Sequence, residues 1–235
     1  MPDFSQRAIG LEVMDDLDVA GRDLTQALRE LDSINYLLGG NYVSLNGVAQ
    51  LLDACSSIGN VYIADVGCGS GDLLKRIRRL VERKRIVARL TGFDANANVI
   101  RFARDHTPAT CRIEYETLNI FSRDFQQRGF DVVTGTLFFH HFTNNELVTF
   151  FNRLKGQVKV GIVINDIHRH WFAYYSIKWL TRFFSRSPMV KHDAPLSVLR
   201  AFRKNELVDI LRQAGFTRFR IRWCWAFRWQ VLVWV

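Results

Sequence analysis

Three short stretches of this 235-residue chain hold the side chains most able to do chemistry. ADVGCGSGD (64–72) sets Asp65 two positions ahead of Gly67, with Gly69 and Gly71 behind it, and Asp94 closes the run LTGFD. TLFFHHF (136–142) carries His140 and His141, and INDIHRH (164–170) carries Asp166, His168 and His170. Three glycines in five residues let the backbone come close to a ligand, and the spacing decides which ligand. A dinucleotide fingerprint would put glycine at 72, where Asp72 stands, and a phosphate loop would continue into Gly-Lys-Ser/Thr, which is absent. An acid just ahead of the first glycine sits badly with pyrophosphate and suits a ligand that carries an ammonium and a sulfonium. Asp94 is placed to accept both hydroxyls of a ribose.

The histidines suggest acid–base work. A weakly acidic acceptor gains from a general base whose pKa lies near the working pH, and imidazole is the natural choice. His140, His141 and His168 follow two neighbouring strands at the ends where open sheets bind ligands. Asp166 on the same rim is expected to orient His168 by accepting its second N–H. No spacing of His, Cys and acids marks a metal centre. The acids of EVMDDLD (12–18) are expected on a solvated face.

These groups need a scaffold. Residues 3–57 read as helices: Leu24, Ala27, Leu28, Leu31, Ile34, Leu37 and Leu38 recur at helical spacing, glycines 39–40 stop that helix, and a second covers 44–57. From 61 onward strands are expected at 61–66, 87–94, 112–118, 130–136, 158–165, 216–223 and 229–235. Helices fall at about 71–84, 96–105, 143–155 and 204–213. Such alternation argues for a mainly parallel sheet covered on both faces. The last two strands lie too close for a helical crossover and should form an antiparallel hairpin. The stretch WFAYYSIKWLTRFF (171–184) is apolar at ten of fourteen positions, too apolar all round for a plain surface helix, and reads as a lid over an acceptor. WCWAFRWQ (223–230) reads as strand packing and a turn.

DVGCGSGD followed by GFDAN resembles the first two motifs of the class I S-adenosylmethionine-dependent methyltransferases, and LNIF (118–121) and TLFFHHF agree with the motifs that follow. The resemblance spans roughly 61–235 and is closest in style to the small-molecule enzymes of ubiquinone and menaquinone biosynthesis. It implies an α/β, Rossmann-like, seven-stranded, mostly parallel sheet with a C-terminal antiparallel hairpin. A helical N-terminal cap over 1–58 would precede a methyltransferase domain over 59–235, with a lid insertion at about 167–202. It implies S-adenosylmethionine as cofactor. Asp65, Gly67 and Gly69 would line its methionyl end, Asp94 would bind its ribose, and Asn119 and Ile120 would meet its adenine, with Cys68, Ala95, Thr136 and Leu137 as further cofactor-binding residues. Asn119 stands where family members often carry Asp; its amide oxygen can still accept from the adenine amino group. The expected reaction moves a methyl group, with oxygen favoured, to a small hydrophobic acceptor, hydroxylated aromatic or lipid-like. His168 with Asp166, and His140 or His141, are the candidate bases.

Charge bounds the partners. The net charge is +9, unevenly spread: residues 1–60 are acidic, 75–89 hold eight bases against Glu82, and 167–235 hold thirteen bases against three acids. Such a surface attracts nucleic acid, anionic membrane or acidic substrate. Thr136-Leu137-Phe138-Phe139 stands where methyltransferases acting on exocyclic base amines carry Asn/Asp-Pro-Pro-Tyr/Phe, which disfavours nucleic acid. RNA or protein methylation and a non-catalytic scaffold stay as alternatives, as do peripheral membrane contact and a monomer or homodimer. Cys55, Cys68, Cys111 and Cys224 form no CxxC pair, and the absence of a secretory pattern points to reduced thiols and a cytoplasmic address.

Overall fold

Seven apolar runs assemble into one sheet in the computed structural model, which describes residues 2–53 and 59–235. The strands are β1 (Asn60–Val66), β2 (Val87–Asp94), β3 (Ile113–Thr117), β4 (Phe130–Thr136), β5 (Val158–Ile167), β6 (Phe219–Cys224) and β7 (Arg228–Trp234). Their order is β3-β2-β1-β4-β5-β7-β6, with β7 antiparallel to both of its neighbours. The seven-stranded, mostly parallel sheet with a terminal antiparallel hairpin is as expected. β1 shows why such strands read as continuous apolar runs. Ile63 packs on one face among Leu74, Ile77 and Leu90, and Ala64 on the other among Phe93, Phe130 and Val133. A strand buried on both faces cannot afford polar alternation.

Helices α1 (Gly21–Leu37), α2 (Gly40–Asp53), α3 (Asp72–Arg83), α4 (Ala97–Asp105), α5 (Arg123–Gln126), α6 (Asn144–Lys155), α7 (Trp171–Phe184), α8 (Pro188–Arg200) and α9 (Lys204–Gln213) surround the sheet. In α3, Leu73, Leu74, Ile77 and Val81 are buried at helical spacing. Of its basic run, Arg76 pairs with Asp72 at 2.8 Å, and Arg78 is pinned to the carbonyls of Ala88, Cys111 and Arg112.

The N-terminal region departs from expectation. Residues 3–20 are an extended strap with one 3-10 turn, Val13–Asp15, and α2 starts at Gly40 rather than 44. The strap has no helical apolar period, and its amides find partners on α8 instead: Ala8 N donates to Leu199 O, Val13 N to Asp193 Oδ1 and Met14 N to Asp193 Oδ2. The end of the second expected helix and Cys55 lie outside the described residues.

A bridge between His168 and Phe202 closes the base of the segment holding α7 and α8. Beneath it, the fully buried Arg169 guanidinium holds Glu206 at 2.6 Å together with the carbonyls of Ala201, Phe4 and Ser5. Strap, insertion and α9 therefore share one cation. Arg169→Ala should lower the unfolding free energy by about 3 kcal/mol, since it strands a carboxylate and three carbonyls. A drop in melting temperature of under a few degrees would show that these groups rehydrate freely.

Candidate functional site

The glycine loop joins β1 to α3 at the point where strand order reverses, between β1 and β4. Gly67, Gly69 and Gly71 all take positive φ (65°, 52° and 74°). A Cβ at Gly67 would collide with the Phe138 ring, so only glycine lets the loop and the segment after β4 close on each other. Asp65 is buried, and its Oδ1 has no partner. Burial, then the charge of Asp94, push its carboxyl well above the usual range. Asp94 accepts from Asn96 N (3.0 Å) and Gly69 N (3.4 Å), and burial raises its pKa too. Two desolvated carboxylates beside a glycine loop form a receptor for a cation with neighbouring hydroxyls.

The N-terminal helices brace this loop. Asp32 of α1 accepts from Ser70 Oγ at 2.6 Å, and a chain from Asn35 through Asn41 reaches Asp72. Ser44 of α2 meets Thr136 Oγ1 at 2.6 Å and accepts from Asn165 Nδ2. Burial, with Asp72 adding to it, pushes Asp32 up to about 6 despite the Ser70 hydroxyl. Folding thus favours its protonated form, so stability falls as pH rises from about 4 to about 6 and then levels. Asp32→Asn keeps an acceptor for Ser70 and should stabilise the ligand-free protein near pH 8 by roughly 1–2 kcal/mol, with no gain near pH 4. Thermal melts at the two pH values test this; an equal gain at both would refute it.

Two histidine–carboxylate pairs stand across from the loop. His140 Nδ1 donates to Asp166 Oδ1 at 2.7 Å, and Asp166 Oδ2 also accepts from Phe139 N and His140 N. Burial opposes the Asp166 charge, but His140 outweighs it and holds the carboxyl below its ordinary value. His141 Nδ1 donates to Asp15 Oδ1 at 2.6 Å, while Arg200 Nη1 holds Asp15 Oδ2 at 2.5 Å. Desolvation of Asp15 is likewise outweighed by these two hydrogen bonds, which keep it ionised. Glu12 Oε1 lies 3.6 Å from both His140 Nε2 and Arg200 Nη1, and burial pushes Glu12 up to about 7. Glu12, His140 and His141 offer ligand atoms within 4.8 Å of one another, a spacing that an ion could bridge, with Arg200 already supplying positive charge beside them.

Both halves open on one cavity of about 900 Å³. Asp65, Asp94 and Asn119 line one end; Glu12, Asp15, His140 and His141 line another; α7 and the β6–β7 turn (Trp223, Trp225, Phe227) wall it with aromatic and aliphatic surface. Leu137, at φ 55°, is held in the left-handed region on its rim, a strained backbone fixed by Leu137 N donating to Asn165 O. Arg228, buried at the start of β7, leaves Nη1 without a partner in the same wall.

The structure brings Asp65, Gly67, Cys68, Gly69, Asp94, Ala95, Asn119, Ile120, Thr136, Leu137, His140 and His141 to this cavity. Asn119 Oδ1 accepts from Phe121 N, so one of its lone pairs is engaged. The pairing expected between Asp166 and His168 is not formed: Asp166 serves His140, and His168 lies outside the cavity lining, packed on Trp229. Burial lowers His168 to about 4, so it is neutral near pH 7 and a weak base. EVMDDLD is a solvated face only at Asp16 and Asp18, because Glu12 and Asp15 turn inward to His140, His141 and Arg200. Sequence reading also missed Arg228 and the wall formed by the β6–β7 turn. Only the unusual density of aromatics in WCWAFRW hinted at the latter.

Residues 63–161 match the sequence model of a family described as a methyltransferase domain. Uncharacterized methyltransferases of Mycobacterium tuberculosis and Mycobacterium bovis are 32% identical over 111 residues, 47% of this chain and 52% of theirs. The chain thus spans about half the length of the curated relatives it matches. Among solved structures, the plantazolicin methyltransferase bound to S-adenosylhomocysteine superposes with a TM-score of 0.64 at 16% identity, covering 90% of this chain and 93% of its own. Human N-acetylserotonin methyltransferase with S-adenosylmethionine gives 0.61 at 16%, covering 90% and 56%. Magnesium protoporphyrin IX methyltransferase of Synechocystis gives 0.56 at 16%, covering 83% of each chain.

Proposed function

We propose, taking as premise that this chain carries a class I S-adenosylmethionine-dependent methyltransferase domain, that it methylates an oxygen of a small hydrophobic acceptor, aromatic or lipid-like. The observation that carries the reading is the unpartnered, buried Asp65 Oδ1 beside Asp94 at a glycine loop, opening on the same apolar cavity as two histidine–carboxylate pairs. The residues present fit the donor. Asp65 and Asp94 match an ammonium and a ribose diol, and the unpaired Arg228 Nη1 matches a carboxylate. Asn119 and Ile120, which line the same cavity, would hold the adenine.

When bound, S-adenosylmethionine supplies an electrophilic methyl group on a sulfonium. His141, its Nδ1 fixed by Asp15, presents its other ring nitrogen as the base that would take the proton of the acceptor hydroxyl. Arg200 keeps Asp15 charged and so stabilises the imidazolium that forms. Glu12 and His140 flank the acceptor, while strap and α7 keep out water, which would compete for the hydroxyl. The solved relatives bear the names of chemically unlike acceptors, so the acceptor class is read from this chain's own cavity, whose walls are largely apolar.

Calorimetry with S-adenosylmethionine and S-adenosylhomocysteine, followed by labelled-methyl transfer to a panel of phenols and hydroxylated lipids, tests the reading. Binding of both with transfer to a phenol or lipid hydroxyl supports it. A folded protein that binds neither overturns it.

A further inference from the structure

Helix α7 turns one face to the cavity and leaves the other bare. Phe172, Ala173, Ser176, Ile177 and Leu180 line the cavity, whereas Trp171, Tyr175, Trp179 and Phe183 recur every fourth residue and are exposed. At 3.6 residues per turn these four fall within about 120° of one another, a single aromatic stripe. Trp179 is 53% exposed, Phe183 70% and Phe184 79%. Lys178 and Arg182 edge the stripe. The patch continues into the β6–β7 turn: Phe172 lies 5.8 Å from Phe227, and beside it Trp225 is 76% exposed. Isolated exposed aromatics are ordinary, but a contiguous patch of this kind marks a docking surface.

The charge around the patch selects the occupant. Neither 167–192 nor 215–235 contains an Asp or Glu, and their bases include Lys178, Arg182, Arg186, Lys191 and Arg222, all exposed. Glu30, which meets the end of α7, accepts from Ser185 Oγ and Arg186 N. A two-fold dimer built on this patch would set Lys178 and Arg182 against their own copies, with no acids to separate them. Tryptophan and tyrosine beside lysine and arginine is the composition that settles at a lipid headgroup boundary. Among the described residues no helix is long and apolar enough to cross a membrane, so contact would be with one leaflet.

We infer that the outer face of α7 and the β6–β7 turn form a docking surface for an anionic lipid bilayer, which would lie against one wall of the acceptor cavity. The surface accounts for the aromatic stripe and for the exposed, acid-free basic residues beside it. It also gives a lipid-soluble acceptor a route into the site that avoids water.

Vesicle co-sedimentation tests this with neither methyl donor nor acceptor present, so its outcome is independent of the methyltransferase reading. The full chain should pellet with phosphatidylcholine–phosphatidylglycerol vesicles and much less with phosphatidylcholine alone, and high salt should release it. Trp179→Glu with Phe183→Glu, both outside the cavity lining, should cut partitioning by at least about tenfold while circular dichroism stays unchanged. Lys178→Glu with Arg182→Glu should abolish the preference for anionic vesicles. Equal recovery with and without anionic vesicles overturns the inference. So does light scattering that shows a dimer which Trp179→Glu with Phe183→Glu dissolves, for the patch would then be a subunit interface.

Discussion

Asp94→Ala should reduce affinity for S-adenosylmethionine by roughly 10²–10³-fold, through loss of two charge-assisted hydrogen bonds from a desolvated carboxylate. The same change should leave the ligand-free fold standing. Burial raises the Asp94 pKa, so its charge costs stability in the empty site, and that charge adds to burial in pushing up Asp65 beside it. What the fold loses is acceptance from Gly69 N and Asn96 N, contacts that Asp94→Asn partly retains. Calorimetry paired with thermal melts separates binding from folding. A dissociation constant within tenfold of the parent, in a protein that melts normally, would remove Asp94 from the ribose. The Asn variant should fall between the two, because it accepts from one hydroxyl and carries no charge.

His141→Ala should lower kcat by about 10²–10⁴-fold while affinity for S-adenosylmethionine changes little, the pattern of a lost general base. The alternative is that His141 only fills space or props the strap through Asp15. Added imidazole discriminates: it should restore part of the rate if the missing group is a base and none if the missing group is a prop. Asp15→Asn provides the second reading. It leaves His141 in place but takes the charge from Nδ1 and strands Arg200, so kcat should fall by a smaller factor than for His141→Ala. A wild-type kcat in His141→Ala would pass the role to His140, whose Nε2 makes no hydrogen bond and lies 3.6 Å from Glu12 Oε1.

The parts legible in the sequence are those whose order is local. β1, β2, β4 and β5 are apolar runs because both faces of the sheet are covered, and the glycine loop is marked by a spacing that one ligand class requires. The hairpin could be placed because a short connection excludes a crossover. What stayed hidden depends on partners far along the chain. Glu12 and Asp15 look like solvated acids until Arg200, His140 and His141 are set against them. An extended strap has no period to betray its direction, and its hydrogen bonds go to Asp193 and Leu199 rather than to its own turns. Asp166, expected beside His168, accepts from His140 instead. Two residues apart on β5 and the segment after it, Asp166 and His168 are close in sequence, whereas His140 reaches Asp166 across neighbouring strands. Proximity along the chain is a poor guide at the rim of a parallel sheet, where adjacent strand ends lie many residues apart.

The strap also bears on the order of events during synthesis. Its residues leave the ribosome ahead of the sheet, but Val13, Met14, Glu12 and Asp15 must wait for contacts to Asp193, Ser197 and Arg200, some 180 positions later. Contacts of such separation form late, after the loop they close has become compact. On the proposed function, a nascent chain could thus complete its glycine loop and meet the methyl donor while His141 still lacks the carboxylate that orients it. Donor binding would mature before acceptor chemistry, leaving the half-made protein able to hold a reactive sulfonium without a nucleophile activated beside it.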